Sequence, residues 1–137
     1  MPLISVIIPA FNSEKTIRET IESVLHQTFS DFELIVINDG STDAILEIVT
    51  SIKDPRIKVF SYPNTGVAAS RNRGFSHSCG EFIAFLDADD LWTADKLEAQ
   101  LKALQENPQA AVAYSWMDNI DESGKFFSSS FHITENG

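Results

Sequence analysis

Glu33-Leu34-Ile35-Val36-Ile37-Asn38-Asp39-Gly40-Ser41-Thr42-Asp43 is an aliphatic, β-branched run that stops at a cluster of turn formers. A short, continuously apolar run reads as a strand buried on both faces, and such strands belong to parallel sheets covered by helices. The flanks agree. On the N-terminal side, residues 14–27 carry Ile17, Ile21, Val24 and Leu25 at i, i+4, i+7 and i+8, one apolar helical face with Ser13 as its expected N-cap. Before that helix, Ile4-Ser5-Val6-Ile7-Ile8 reads as a first strand ended by Pro9. On the C-terminal side, Ile45, Ile48, Val49 and Ile52 form a second helical face, which Asp54-Pro55 breaks.

The alternation continues outward. Ile57-Lys58-Val59-Phe60-Ser61 is a third strand, residues 68–77 a third helix ending before Gly80, and residues 81–86 a fourth strand. Thr93 is expected to cap a fourth helix with Leu97, Leu101 and Leu104 on its face. Ala110-Ala111-Val112-Ala113-Tyr114 is expected to be a fifth strand. Past Trp116 the pattern predicts a turn at 121–125, of a hairpin continuing into Phe126-Phe127, with no periodicity in the last residues. Four or five βα units in sequence predict an α/β fold: a doubly wound, mostly parallel, Rossmann-like sheet with helices on both faces and right-handed crossovers.

At 137 residues, 43% of them hydrophobic and 22% charged, the chain has the size and composition of one globular domain. Twenty acids against ten Lys and Arg leave a net charge of −10, which excludes a nucleic-acid backbone as partner. A phosphate ligand would need local help from a cation, a helix N-terminus or an arginine. The single cysteine, Cys79, excludes an intrachain disulfide, fits a reducing compartment and reads as a small half-buried filler. No apolar run approaches the roughly 18 residues of a bilayer span, so a cytoplasmic domain is expected. His26, His77 and His132 have no ligand spacing between them, which argues against zinc.

In open parallel sheets, ligands bind outside the carboxyl ends of the strands, where strand order reverses. Asn12 follows strand one, Asp39 strand two, Gly66 and Arg71 strand three, and Asp87 and Asp89 strand four. Asp87 and Asp89 are two apart, so in an extended segment they project to one side and offer hard oxygen ligands to a divalent cation. The competing reading is an acidic turn ahead of the next helix. Asp39 could accept a hydrogen bond from a ring N–H, as uracil or thymine offers, against simple helix capping by Ser41, Thr42 or Asp43. Arg71 could reach a base or phosphate, whereas helical geometry aims Arg73 elsewhere; two plain surface arginines are the alternative. Trp92 reads as a packing anchor rather than a sugar platform.

Pro9-Ala10-Phe11-Asn12, Asn38-Asp39-Gly40-Ser41-Thr42-Asp43, Gly66-Val67-Ala68-Ala69-Ser70-Arg71-Asn72-Arg73-Gly74 and Asp87-Ala88-Asp89-Asp90 resemble, in order and separation, the motifs of family 2 glycosyltransferases with the GT-A fold. The resemblance runs from about Ser5 to Trp92. It implies a nucleotide-diphospho-sugar donor, most often a UDP-sugar. It also implies inverting transfer to a saccharide or lipid-linked acceptor in glycan or polysaccharide synthesis, at the inner face of a membrane in the full-length protein. Pro9, Ala10, Phe11 and Asn12 would line the nucleoside pocket, and Asp39 would hold the uracil with Gly66 and Arg71 nearby. Asp87 and Ala88 would lie near the ribose or sugar. Asp89, with Asp87 as second candidate, would approach Mn2+ or Mg2+ on the diphosphate.

Under this resemblance, residues 1–115 are a nucleotide-sugar-binding domain and 116–137 the incomplete start of an acceptor-side region. The base that takes the acceptor proton is then expected beyond Gly137. The chain is accordingly expected to be a truncated donor portion, inactive alone and prone to self-association through exposed strand edges. Two other readings stay open: a binding-only nucleotide module and a receiver-type signalling domain. The latter wants an acidic pair after strand one and a lysine after strand five, where this chain has Pro9-Ala10-Phe11-Asn12 and Tyr114-Ser115-Trp116. No Gly-x-Gly-x-x-Gly follows strand one, which disfavours a dinucleotide oxidoreductase.

Overall fold

The computed structural model describes residues 2–106 and 130–133. Its elements are β1 (Ile4–Ala10), α1 (Ile17–Leu25), β2 (Phe32–Asp39), α2 (Ile45–Ser51), β3 (Ile57–Tyr62), α3 (Val67–Ser76), β4 (Phe82–Phe85), α4 (Lys96–Glu106) and β5 (Ser130–Ile133). They form one sheet in the order β3-β2-β1-β4-β5. The first four strands are parallel, and β5 runs antiparallel to β4. The doubly wound architecture expected from the alternation is therefore present.

Strand alternation divides the core into two layers. Ile4, Val6 and Ile8 of β1, with Leu34 and Val36 of β2, pack against Ile17, Ile21 and Val24 of α1, Ile45 and Val49 of α2, and Leu97 and Leu104 of α4. Ile7, Ile35, Ile37, Ile83 and Phe85 form the opposite layer, which α3 covers. A Cβ on Gly74 would overlap the Ile7 side chain, so glycine there lets α3 lie close upon β1.

Several local expectations need correction. β1 does not end at Pro9 but continues to Ala10, with Pro9 paired to Ile37 and Ala10 to Asn38. The β1–β4 ladder stops earlier, at Ile7 and Phe85, so the missing proline N–H removes no bond from it. Ser13 is not the N-cap of α1. Its carbonyl accepts the N–H groups of Thr16 (3.1 Å) and Ile17 (2.9 Å), its hydroxyl donates to the Phe11 carbonyl, and Thr16 occupies the cap. Thr93 turns its hydroxyl to Asp95 Oδ1 while its carbonyl accepts the Lys96 N–H. Cys79 is exposed rather than half-buried. Trp92 is buried in the α1 layer, as expected of a packing anchor.

The strand expected at 110–114 lies outside the described residues. The fifth strand of the sheet is Ser130–Ile133, in a stretch with no periodic signal. Its backbone pairs Ser130 with Phe85 and Ile133 with Phe82. A strand of four residues is too short for its sequence to establish a period.

At the amino end of the strands, Glu33 is buried, with its side chain only 4% exposed. It accepts hydrogen bonds from Lys58 Nζ (2.8 Å), Ser5 Oγ (2.5 Å) and the Cys79 N–H (2.7 Å). Burial pushes its pKa up, but these three donors outweigh it and hold the carboxyl below the usual glutamate value. The site lies at the other end.

Candidate functional site

Loops at the carboxyl rim are tied to one another by side chains that the sequence places just past each strand. Asn12, left-handed at φ 48°, links the first two. Its N–H donates to Ser41 Oγ (3.0 Å), and its Oδ1 accepts the Thr42 N–H (2.8 Å). Asp43 reinforces the link, accepting the Glu14 N–H at Oδ2 and the Ile45 N–H at Oδ1, although Ala44, and none of Ser41, Thr42 and Asp43, occupies the N-cap of α2.

Asp39, 4% exposed, ends β2 and organises the loop between β3 and α3. Its Oδ1 accepts the Thr65 N–H (2.8 Å), and its Oδ2 accepts the Gly66 N–H (3.0 Å) and Asn64 Nδ2 (3.2 Å). Oδ1 thus retains acceptor capacity for one more donor. Gly40, at φ 68°, permits this closeness, since a Cβ there would stand 2.5 Å from the Asn64 nitrogen.

Beyond that loop, Arg73 braces the chain, donating to Thr65 Oγ1 (2.8 Å) with its guanidinium 4.4 Å from the Tyr62 ring centre. Arg71, two residues earlier, points the other way. Its Nη2 lies 3.9 Å from Asp87 Oδ1, and its guanidinium sits near the Phe85 ring. The divergence expected of these two arginines is what the helix produces.

The acid turn follows β4 where the β1–β4 ladder parts. The Asp90 N–H closes it onto the Asp87 carbonyl (3.1 Å). Oxygens of Asp87, Asp89 and Asp90 all lie within 4.8 Å of one another. A divalent cation with oxygen ligands at about 2.1–2.5 Å spans trans ligands about 4.2–5 Å apart, so the three carboxylates fit one. Desolvation raises the Asp90 pKa, and the charges of Asp87 and Asp89 raise it further. The buried Ala88 carbonyl between the acids accepts Thr16 Oγ1 (3.0 Å) and Thr20 Oγ1 (2.9 Å).

Asn12, Asp39, Gly66, Arg71, Asp87, Ala88 and Asp89 therefore share one rim of the sheet. Sequence reading missed Thr16 and Thr20. The signal was available as a second, polar stripe on α1 beside the apolar one. It also missed Asn64, whose role depends on a fold-level approach to Asp39. Phe11 is half exposed at the same rim.

A family model described as Glycosyl transferase family 2 matches residues 5–136. The chain belongs to that family. Among relatives of this family 2 chain, an uncharacterized glycosyltransferase of Rickettsia bellii is 47% identical over 127 residues, covering 92% of this chain and 18% of the relative. The structure of Staphylococcus aureus TarS 1-349 in complex with UDP-GlcNAc superposes with a TM-score of 0.76 at 34% identity, covering 82% of this chain and 33% of that one. The mannosyltransferase PcManGT of Pyrobaculum calidifontis, in complex with GDP-Man and Mn2+, gives a TM-score of 0.75 at 26% identity, covering 81% of this chain and 34% of that one. The chain thus spans a third or less of the matched protein in the first two cases and about a third in the last. Its mostly parallel sheet is of the GT-A kind found in TarS and PcManGT. No helix among the described residues is long and apolar enough to cross a membrane.

Proposed function

We infer that this family 2 chain is the donor-binding part of an inverting glycosyltransferase, taking a nucleotide-diphospho-sugar, foremost a UDP-sugar, with Mn2+ or Mg2+. One observation carries the reading: a buried carboxylate with acceptor capacity to spare, an arginine and three clustered acids share one rim where the sheet parts. The UDP-GlcNAc complex of TarS and the GDP-Man and Mn2+ complex of PcManGT support it.

In this reading Pro9, Ala10 and Asn12 line the nucleoside pocket, and Phe11 offers its ring to the base. Asp39 Oδ1 accepts a base N–H. Uracil and guanine present a ring N–H to an acceptor, whereas cytosine presents a lone pair at that ring position. Gly66 keeps the loop beside Asp39 free of side-chain bulk. Arg71 offsets phosphate charge, and Asp87 and Ala88 face the ribose or sugar. Asp89, with Asp87, holds the cation, which when bound neutralises the leaving diphosphate. Residues 1–115 carry the donor-binding side chains, and within 116–137 the strand Ser130–Ile133 adds to the same sheet. The acceptor is a saccharide or a lipid-linked acceptor.

Calorimetric titration with UDP, GDP, dTDP and CDP, each with and without Mn2+, tests the reading. Metal-dependent binding of UDP, weakened by Asp39→Ala and by Asp89→Ala, is expected. Equal affinity with and without Mn2+ refutes the metal role of Asp89. A folded sample that binds none of the four refutes the donor role.

A further inference from the structure

The polar stripe of α1 runs along the entire connection from β4 to α4. Thr16 and Thr20 hold the Ala88 carbonyl, Ser23 Oγ accepts the Trp92 N–H (3.2 Å), and Gln27 donates to the Thr93 carbonyl (2.6 Å) while accepting the Leu97 N–H (2.9 Å). Thr16, Thr20 and Ser23, at i, i+4 and i+7, share one face of α1 from its N-cap onward, and Gln27 follows just past its C-terminal end. This face sits beside the apolar one formed by Ile17, Ile21 and Val24, so a single helix both fills the core and templates the acid-bearing loop.

Thr16 shows what the arrangement gives up. It stands at the N-cap of α1, a position where a threonine hydroxyl ordinarily satisfies a backbone N–H of the first turn, yet it makes no such bond. Its hydroxyl instead lies 3.0 Å from the carbonyl of Ala88, 72 residues away, closer than the 3.4 Å to the local Ser13 carbonyl. Thr20 is fully buried and does the same. Two hydroxyls thus converge on one carbonyl, and that carbonyl lies between Asp87 and Asp89.

We propose that Thr16 and Thr20 are positioning residues: their hydroxyls fix the conformation of the Asp87–Asp90 turn and thereby set its affinity for a divalent cation. Neither touches the ion. The proposal rests on the donor-and-metal reading above for its second half only, because the first concerns the turn itself.

The test compares the full-length protein with a Thr16→Val/Thr20→Val variant, which keeps shape and loses both hydroxyls, and a Thr16→Ser/Thr20→Ser variant, which keeps both. Two quantities are read: hydrogen exchange of the Asp90 amide in metal-free protein, and Mn2+ affinity by electron paramagnetic resonance. The valine pair is expected to speed Asp90 exchange while leaving β1 and β2 amides unchanged, and to weaken Mn2+ binding about tenfold, as loss of an outer-shell partner does. The serine pair is expected to restore both. Unchanged Asp90 exchange in the valine pair overturns the proposal, as does acceleration spread equally over the strands. Faster Asp90 exchange with undiminished Mn2+ affinity overturns the link to the cation. If wild type and Asp89→Asn alike bind no Mn2+, the metal reading itself falls and takes that link with it, while Asp90 exchange still decides the role in the turn.

Discussion

Arg71 Nη2 stands 3.9 Å from Asp87 Oδ1, which brings the helix after β3 to the turn after β4 across the parted end of the sheet. Asp87 is 40% exposed, so solvent screens the pair and its Coulombic worth is only roughly 0.5–1 kcal/mol. Arg71→Ala removes one positive charge from beside three acids. Mn2+ alone should then bind a few-fold more tightly, while UDP in the presence of Mn2+ binds more weakly. Paired titrations with each ligand check the opposite signs; a shift in the same direction for both would remove Arg71 from the phosphate.

Asp39→Asn should damage stability and nucleotide binding together. The amide nitrogen would face N–H donors from Thr65 or Gly66, costing about 1–3 kcal/mol for a buried unmatched donor. Thermal melts and UDP titration on the same sample check this. Preserved stability with lost binding would mean that the loop does not depend on this carboxylate.

The Glu33–Lys58 pair should affect stability alone. Glu33 has a folded pKa below its unfolded value, so its contribution is present above the ordinary glutamate pKa and is lost as pH falls through the lowered one. The Lys58 ammonium, hydrogen-bonded to Glu33, has its pKa raised, so its part persists at neutral pH and is lost only as pH rises through that value. Lys58→Met should flatten the acid side of the stability profile and cost about 1–2 kcal/mol at neutral pH, less than a fully buried pair because Lys58 is half exposed. UDP affinity should not move, since this pair lies at the opposite end of the strands.

Asp90 carries the opposite sign. Its pKa is raised by desolvation and by Asp87 and Asp89, so its ionised form opposes folding above the ordinary aspartate value. Asp90→Asn should raise the melting temperature of metal-free protein at neutral pH. The gain should shrink in acid, where the wild-type carboxyl is already protonated, and again when Mn2+ is added. Melting curves at two pH values with and without Mn2+ decide it.

The sheet and its carboxyl rim were legible because burial on both faces forces aliphatic runs such as Leu34–Ile37, and strand polarity alone places Asn12, Asp39 and Asp87 at one end. What escaped was non-local. Whether Asp39 binds a ligand or a loop depends on where Asn64 and Thr65 come to rest, and no local pattern states that. The hydroxyls of Thr16 and Thr20 were visible as a helical stripe, but their partner lies 68–72 residues away. β5 escaped because four residues are too few to show a period.

That late strand bears on where the chain can be cut. With Ser130–Ile133 in place, β4 is hydrogen-bonded on both sides, to β1 and to β5. A piece shortened to residue 115 would strip one neighbour from the strand that carries the acids and leave a raw flank open to intermolecular pairing. Poor solubility in such a piece would then report a missing strand rather than a failed fold.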